Sequence, residues 1–465
     1  MEATPQSSPE PQSTLLNDKV PFHRRISYAL TDTGGNLLYS IIGAYLLYFY
    51  TDVFGLSVGV AGTLLLVTRL VDAVDAPLWG IIVDRTRSKY GQSRPYFLWL
   101  CFPFAVFTIL TFTTPNLDGT WKVVYAAVTY ILAGIAYTGI STPITSILPN
   151  LSRNTDERVV LNSFRMVGGN VGNFAAVTFT LPLVTFFGAG NDQKGFFWTL
   201  CVFGIVSIIM FLIAFADLKE INTEKIKTIP FKSSFKAMKG NWPWIILVIA
   251  NLLFWIALTI RTSTLVYYFE YNIGHKELVP LINGISVIQV IGMVLIPFIV
   301  KFSNKYSTMI FGFILAVLGQ IVLFFAGDHI SFLIVGWIIA CIGSGIACSM
   351  PFAMLSDTVD YGEWKSGLRG SGILTAIGSA FCIKAGSGLG GFIPTQFMSS
   401  FGYVPNVAQS TQSLSGIQFV FIWLPAIVFA LGIIPMLFYR HFEKNEGYIR
   451  RQLLIKEHHT GTQAK

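Results

Sequence analysis

Long runs of apolar residues alternate with short polar segments along the chain. Crossing about 30 Å of hydrocarbon takes roughly 20 helical residues, and twelve runs near that length are found. Their approximate limits are 27–50, 59–83, 95–114, 121–149, 163–187, 197–217, 242–270, 279–300, 307–327, 332–356, 371–400 and 414–438. The apolar residues form blocks and do not alternate with polar ones, as they would in a β-barrel. The sequence therefore predicts an all-α polytopic membrane protein with twelve transmembrane helices.

Composition agrees with this prediction. Of 465 residues, 53% are hydrophobic and 12% are charged, whereas about a quarter of the residues of a soluble domain are charged. The net charge of +8 would suit a nucleic-acid partner, but the basic residues lie in short segments between the apolar runs. We therefore expect a lipid bilayer and no nucleic acid as a partner. The five cysteines have no metal-ligand spacing, so we expect no metal site, cofactor or disulfide framework.

Lysine and arginine are concentrated in alternate loops, which predicts the orientation in the membrane. The basic loops contain, among others, Arg85, Arg87, Lys89, Arg94, Lys301 and Lys305. The opposite loops contain little beyond Lys194 and Lys276. Both termini share the basic side, as an even number of crossings requires. We expect both termini in the cytoplasm and a multi-pass monomer in the cell membrane.

A long polar linker divides the spans into two sets of six. We expect a disordered cytoplasmic tail at 1–26, a six-helix bundle at 27–217, a cytoplasmic central loop at 218–241, a second bundle at 242–438 and a cytoplasmic tail at 439–465. A weak internal repeat supports this division. Phe49-Tyr-Thr-Asp-Val-Phe-Gly55 ends the first span, and Tyr268-Phe-Glu-Tyr-Asn-Ile-Gly274 ends the seventh. Repeated bundles of six helices indicate the major facilitator fold.

Charged residues within the spans are the first candidates for function, because a charge at mid-bilayer costs roughly 2.5–3.5 kcal/mol or more. They are Asp32, Arg69, Asp72, Asp75, Arg165, Arg261 and Lys384. Spacings of three place Arg69, Asp72 and Asp75 on one helix face. Two adjacent carboxylates cannot both ionise cheaply, so the pair suits binding and release of a proton or small cation. A permanent salt bridge from Arg69 is the alternative.

The remaining intramembrane charges allow more than one interpretation. Asp32 and Arg165 suit a grip on vicinal sugar hydroxyls through charge-assisted hydrogen bonds, although Asp32 follows a basic cluster closely enough to lie merely near the inner membrane face. For Lys384, an aspartate of the second span is the expected counter-ion, in either a functional or a fixed structural pair. Arg261 has no evident partner in the sequence, and we expect it to be structural.

Five motifs in order resemble the glycoside-pentoside-hexuronide:cation symporters, a branch of the major facilitator superfamily that includes the melibiose permease. They are Phe49-Tyr-Thr-Asp-Val-Phe-Gly55; Arg69-x-x-Asp72-Ala-x-x-x-Pro77; Asp84-Arg-Thr-Arg-Ser-Lys-Tyr-Gly91 with Arg94-Pro95; Asp357-Thr-Val-Asp-Tyr-Gly-Glu363; and Lys384 before Gly402-Tyr-Val-Pro-Asn406. Together they cover nearly the whole chain after residue 26. The resemblance implies a transporter and not an enzyme.

The resemblance also implies site residues. Its sugar-binding positions are Asp32, Tyr137, Ser141, Thr145, Arg165, Cys348 and Lys384, and its cation-coupling positions are Asp72, Asp75, Thr138 and Lys384. Ser141, Thr145 and Cys348 replace the aspartate, tryptophan and aromatic residue of the melibiose permease, so we do not expect a galactoside. Ala76 replaces a second cation-site aspartate of that sodium-using protein. The loss of a sodium ligand favours a proton, with sodium as the alternative.

These observations predict a secondary active transporter that imports a glycoside, a pentoside or xyloside, or a hexuronide together with a proton by alternating access. A lysolipid or other amphiphile carrier on the same scaffold and a transporter-shaped sensor are alternatives. An embedded enzyme is disfavoured because neither His-Glu-x-x-His nor Gly-x-Ser-x-Gly occurs. We expect Arg85 and Arg87 to act in a gate between the second and third helices, unless their loop is only a topology signal.

Overall fold

The computed structural model describes residues 20–152, 155–220, 238, 240–327, 329–366, 374–375 and 377–463. Twelve long helices follow one another in this part of the chain. The first six are α1 at Phe22–Tyr48, α2 at Val58–Arg85, α3 at Arg94–Trp99 and Cys101–Thr111, α4 at Gly119–Ser146, α5 at Thr155–Gly188 and α6 at Asp192–Asp217. A short helix at Leu148–Leu151 lies between α4 and α5.

The second set of six helices completes the all-α fold. They are α7 at Trp242–Tyr267, α8 at Val279–Ile285 and Gln289–Phe302, α9 at Lys305–Ala326, α10 at Ile330–Ser366, α11 at Cys382–Ser400, and α12 at Thr411–Gln418 and Leu424–Gln463. Short 3-10 turns at Lys276–Leu278 and Ser286–Ile288 precede and join the parts of α8. The π-helical turn Ile377–Phe381 leads into α11, and the π-helical turn Phe419–Trp423 joins the parts of α12.

Hydropathy separates these helices into two groups. In the described part of the chain, nine helices are long and apolar enough to cross a membrane. The other three are α1, α2 and α11, and they carry Asp32, the Arg69–Asp72–Asp75 face and Lys384 respectively. Five of the seven intramembrane charges thus lie on these three helices, whereas Arg165 and Arg261 lie on α5 and α7.

The internal repeat has the same backbone in both halves. A π-helical turn at Phe49–Val53 extends α1, and another at Tyr268–Asn272 extends α7. Each turn is followed by a glycine in the left-handed region, with φ of 77° at Gly55 and 78° at Gly274. Only glycine adopts this conformation without a steric cost. The sequence repeat therefore corresponds to a repeated chain reversal at the ends of α1 and α7.

Small residues allow α1 and α5 to approach closely enough to place a shared site between them. A Cβ atom added at Gly172 of α5 would lie 2.3 Å from the Thr33 carbonyl oxygen of α1. Because no side chain fits there, the two backbones are in direct contact, which is typical of membrane helix pairs. This contact brings the middle of α1 to the middle of α5.

Some helices extend beyond the predicted spans by more than a few residues. Helix α5 begins at Thr155 rather than near 163, and α10 extends to Ser366 rather than 356. Residues 22–26, predicted as part of the disordered tail, are the start of α1. Hydropathy detects only the apolar part of a helix, whereas polar turns continue it beyond the membrane. The predicted tail at 1–19 and most of the central loop, at 221–237 and 239, lie outside the described residues.

Candidate functional site

Asp32 and Arg165 form an ion pair between α1 and α5. Arg165 Nη1 lies 3.3 Å from Asp32 Oδ2, and the two side chains are 21% and 20% exposed. Asn162, one turn earlier on α5, accepts hydrogen bonds from Arg165 Nε and Nη2 at 3.1 Å each. Space for the carboxylate is provided by Gly169, where an added Cβ would lie 2.9 Å from Asp32 Oδ2. The guanidinium of Arg165 is therefore held by Asp32 and by Asn162, and both charged side chains remain partly exposed.

Polar residues of α4 continue from this pair toward the basic face, defined here as the end of the molecule that carries Arg85, Arg87 and Lys305. Tyr137 and Ser141 are partly buried, and Thr145 is exposed. Exposure thus increases along α4 toward the basic face. Cys348 is partly buried on α10 of the second bundle.

A second charged cluster joins α2 to α11. Arg69 Nη1 lies 3.1 Å from Asp72 Oδ2. Lys384 Nζ donates to the Asp72 carbonyl oxygen at 2.8 Å and lies 3.9 Å from Asp75 Oδ1. The two carboxylates and the two cations have a formal sum of zero. Lys384 therefore connects the bundles and is nearer to the backbone of Asp72 than to either carboxylate it was expected to pair with.

The carboxylates of this cluster accept few hydrogen bonds. Among the described residues, no donor meets hydrogen-bond geometry with Asp72 Oδ1 or either carboxylate oxygen of Asp75, and all three atoms are buried. The Thr138 side chain is close enough to interact with Asp75. Helix α4 approaches them closely, since a Cβ added at Gly134 would lie 2.6 Å from Asp72 Oδ1. Thr138, on the next turn, is buried and donates to the Gly134 carbonyl oxygen at 3.1 Å. Buried carboxylate oxygens without donors can accept a proton or ligate a small cation.

Sequence reasoning missed Tyr39, which contacts Arg69 of the second cluster and Tyr137 near the first. The Tyr39 hydroxyl accepts a hydrogen bond from Arg69 Nη1. Its ring is stacked on Tyr137, with centroids 3.8 Å apart and planes 7° apart. Tyr39 follows Asp32 by seven residues, or two helical turns on one face of α1. That spacing was the available signal.

A polar network joins the two bundles at the end of the molecule opposite to the basic face. Asp52, which follows α1, accepts hydrogen bonds from Tyr271 and, through both carboxylate oxygens at 2.8 Å, from Tyr403. Asn406 Nδ2 donates to the Asp52 carbonyl oxygen at 2.6 Å. Asp52 is 7% exposed. This cluster, the Asp52 network, was not predicted because its partners are more than 200 residues away.

Lys276 strengthens the same end. Its Nζ lies 3.2 Å from Asp192 Oδ2 and 3.7 Å from Glu270 Oε1, and it donates to the Tyr48 hydroxyl at 2.5 Å. These residues come from α1, α6 and the turns after α7. Both bundles are therefore held together at this end.

On the basic face, several ion pairs each join two residues of the same bundle. Arg25 pairs with Glu157 at 2.8 Å, and Lys305 pairs with Asp357 at 2.5 Å. Arg85 and Arg87, the predicted gating residues, are both exposed.

Equivalent carboxylates cap the third helix of each bundle. Glu220, after α6, accepts hydrogen bonds from the backbone N–H groups of Ser93 at 2.7 Å and Arg94 at 2.9 Å. Glu443, in α12, accepts from the backbone N–H of Lys305 at 2.7 Å, at the start of α9. A carboxylate at a helix N-terminus satisfies free N–H groups and favours the helix dipole. The Glu220 cap thus attaches the end of the loop that carries Arg85 and Arg87 to the first bundle.

Arg261 is buried in the second bundle, with 1% exposure. Its guanidinium carbon lies 4.8 Å from the centre of the Trp337 ring, an arrangement in which the ring face attracts the cation. This contact between α7 and α10 is the partner that the sequence did not reveal. The site described above does not include Arg261.

A family model described as MFS/sugar transport protein matches residues 27–441. The chain belongs to this family. The MFS/sugar transport protein family consists of membrane transporters, so the chain is a multi-pass transporter of the major facilitator fold and not an enzyme. The resemblance to glycoside-pentoside-hexuronide:cation symporters is thereby confirmed.

Curated relatives match over almost their whole length. The chain is 41% identical to an isoprimeverose transporter of Lactiplantibacillus pentosus over 445 residues, which are 94% of this chain and 92% of the relative. It is 34% identical to the uncharacterized symporter YnaJ of Bacillus subtilis (strain 168), with 94% and 95% covered.

Solved structures show the same fold. A bacterial homolog of the human lysosomal transporter Spinster, in an inward-facing and unoccupied conformation, superposes with a TM-score of 0.70. The two chains are 13% identical, and 92% of this chain and 99% of that chain are covered. At this identity, the likeness concerns the fold alone.

Proposed function

We propose that this member of the MFS/sugar transport protein family imports a glycoside, a pentoside or xyloside, or a hexuronide in symport with a proton. The ion pair of Asp32 and Arg165 carries the proposal. Carboxylate and guanidinium groups form charge-assisted hydrogen bonds with hydroxyl groups, and this pair lies in the middle of two helices yet is about one-fifth exposed. The Tyr137 ring, one face of which is covered by Tyr39, adds an aromatic side chain near this pair.

Isoprimeverose is the sugar to test first. A relative that is 41% identical is named an isoprimeverose transporter. Ser141 and Thr145 are small side chains on α4 toward the basic face, and Cys348 is a small side chain on α10 of the second bundle. They leave more room than large aromatic residues would leave, which suits a substrate with a second ring or an aglycone.

The cluster of Asp72, Asp75 and Lys384 supports coupling to a cation. Its formal charge is zero together with Arg69, and three of its buried carboxylate oxygens accept no hydrogen bond from the described residues. One added proton can therefore be held without repulsion from a net positive site. A proton needs no multi-ligand cage, whereas sodium requires several oxygen ligands, and the sequence has alanine at 76.

The two ends of the molecule support alternating access. The Asp52 network and Lys276 join the bundles at one end, while residues near the basic face such as Thr145 are exposed. We propose that the basic face and both termini lie in the cytoplasm. The conformation described is then open to the cytoplasm and closed to the outside.

A carrier of lysolipids is the second candidate, since the scaffold is apolar apart from the site. The oriented Asp32–Arg165 pair favours the sugar, because an alkyl chain makes no use of two charged groups held by Asn162. A lysolipid is also recognised by its headgroup, so binding has to be measured directly.

Uptake into proteoliposomes tests the proposal. The panel contains isoprimeverose, xylosides, glucuronides and a lysolipid, each with sodium or choline and with or without an inward pH gradient. We expect one sugar to accumulate against its gradient only when the proton gradient is present. Accumulation of the lysolipid and of no sugar would overturn the proposal.

A further inference from the structure

Tyr39 joins the candidate cation site to the candidate sugar site. On the cation side, Arg69 Nη1 donates to the Tyr39 hydroxyl and also to Asp72 Oδ2, which lies 3.1 Å away. The guanidinium carbon of Arg69 is 5.0 Å from the centre of the Tyr39 ring. One guanidinium nitrogen, which carries two hydrogens, therefore donates to both the tyrosine and the carboxylate.

On the sugar side, the Tyr39 ring lies face to face on Tyr137, with centroids 3.8 Å apart. Aromatic rings prefer offset or edge-to-face arrangements to a face-to-face stack. Little energy therefore opposes a sideways movement of one ring over the other. A shift of the Tyr39 ring therefore changes the packing of the Tyr137 ring against it.

Tyr137 in turn lies along the face of α1 that carries Asp32. A Cβ added at Gly35 would lie 3.8 Å from the Tyr137 ring. Asp32, Gly35 and Tyr39 are separated by three and four residues, so they share one helix face. The two rings thus fill the space between the ion pair of α1 and α5 and the charged cluster of α2.

We infer that Tyr39 is the positioning residue that couples occupation of the Asp72–Asp75 site to sugar binding at Asp32 and Arg165, an inference that rests on the proposed function. When a proton or cation neutralises Asp72, its charge-assisted hydrogen bond from Arg69 weakens. The guanidinium then bonds more closely to Tyr39, and the stacked rings adjust at the sugar site.

The other charged or titratable groups around Arg69 take part on the cation side. They are Asp75 of α2, Tyr130 of α4 and Lys384 of α11. Of these groups and Tyr39, it is Tyr39 that stacks on Tyr137. The link between the two sites therefore depends on the hydroxyl and the ring of one side chain.

The variant Tyr39→Phe tests this inference in the full-length chain in liposomes. It keeps the ring and its stack but removes the oxygen that accepts from Arg69. The dissociation constant is measured for the panel sugar that the wild type binds most tightly, starting with isoprimeverose, in acid and alkaline buffers with sodium or choline. Coupling between two sites is commonly about 5- to 150-fold. The ion-dependent ratio is the sugar dissociation constant without the coupling ion divided by the constant with it. We expect this ratio to fall by about fivefold or more in the variant, and the dissociation constant without the ion to change by less than about twofold.

Tyr50→Phe is the matched control. Tyr50 lies in the π-helical turn that extends α1, and its hydroxyl donates to the Ala126 carbonyl oxygen at 3.1 Å. The same chemical change at Tyr50 should leave the ion-dependent ratio at its wild-type value. A purely structural role of Tyr39 predicts a different result, namely an equal change of both constants and an unchanged ratio.

A second variant tests the inference independently if Tyr39→Phe does not fold. Arg69→Lys keeps a positive charge beside Asp72 but lacks the forked donor that reaches two acceptors, so it should also lower the ratio. A wild-type ratio in either variant overturns the inference. If sugar affinity of the wild type ignores both pH and sodium, the proposed symport itself is wrong, and the inference falls with it.

Discussion

Asp52 and Tyr271 occupy equivalent positions in the two halves of the internal repeat and are hydrogen bonded to each other. Each is the fourth residue of its π-helical turn, at Phe49–Val53 and Tyr268–Asn272. Pseudo-symmetric turns therefore meet at the end of the molecule opposite to the basic face. Tyr403, from the loop after α11, adds hydrogen bonds to both oxygens of Asp52 at 2.8 Å.

Removal of the hydroxyl groups from this network should open the closed end. In Tyr271→Phe with Tyr403→Phe, Asp52 loses donors worth about 1.5–3 kcal/mol each for a charged acceptor. The population open at that end should rise by about tenfold or more. Hydrogen exchange of the 49–56 and 268–275 segments measures the change.

Tyr125→Phe is the control for the double variant of the Asp52 network. Its hydroxyl donates to the Leu110 carbonyl oxygen at 2.8 Å, within the first bundle. Exchange rates at the closed end should stay at their wild-type values in this variant. Equal protection in the double variant and the wild type would show that apolar contacts hold this end closed.

Substitution of either member of the Asp32–Arg165 pair should weaken sugar binding. Asp32→Asn or Arg165→Gln removes a charge-assisted hydrogen bond, and the dissociation constant should rise by about 10–100-fold. Calorimetric titration with isoprimeverose checks this, and Asp118→Asn, an exposed acid remote from the pair, serves as control. A wild-type constant in either variant would remove that residue from the sugar site.

Arg85 and Arg87 should affect turnover and not affinity. Both are exposed at the basic face in this conformation, so their contacts form when that face closes. Arg85→Ala with Arg87→Ala should slow uptake severalfold at an unchanged dissociation constant. Lys301→Ala, an exposed basic residue of the second bundle, is the control. Unchanged uptake would reduce the loop to a topology signal.

The coupling ion should be a proton. Sugar uptake should be driven by an inward pH gradient, be abolished by a protonophore and be indifferent to replacement of sodium with choline. Asp72→Asn should lose accumulation but keep exchange of sugar for sugar, because exchange moves no net charge or proton. Uptake that rises with sodium at constant pH and ignores the protonophore would contradict this prediction.

A related variant tests the role of alanine at 76. Ala76→Asp adds a third carboxylate to the cluster, four residues after Asp72 and one helical turn away. We expect a sodium-dependent increase in uptake that the wild type lacks. Ala76→Asn, which adds volume without charge, should not acquire it. A sodium response in Ala76→Asn as well would show that the added carboxylate does not determine which ion is coupled.

The sequence by itself determined the membrane location, the number of helices and the family. These properties follow from local patterns: apolar runs of bilayer length, basic loops at alternate ends, and motifs of a few residues. It also identified Asp32, Arg69, Asp72, Asp75, Arg165 and Lys384, because a charge inside an apolar run is visible without any knowledge of its neighbours.

Tertiary structure decided which of these residues meet. Lys384 reaches the Asp72 carbonyl oxygen across 312 positions of the chain, and Tyr403 reaches Asp52 across 351. No spacing along a helix encodes such contacts, since they depend on how two bundles rest against each other. Tyr39 shows the same limit at short range. An aromatic residue in an apolar helix is ordinary until packing places Arg69 on one side of it and Tyr137 on the other.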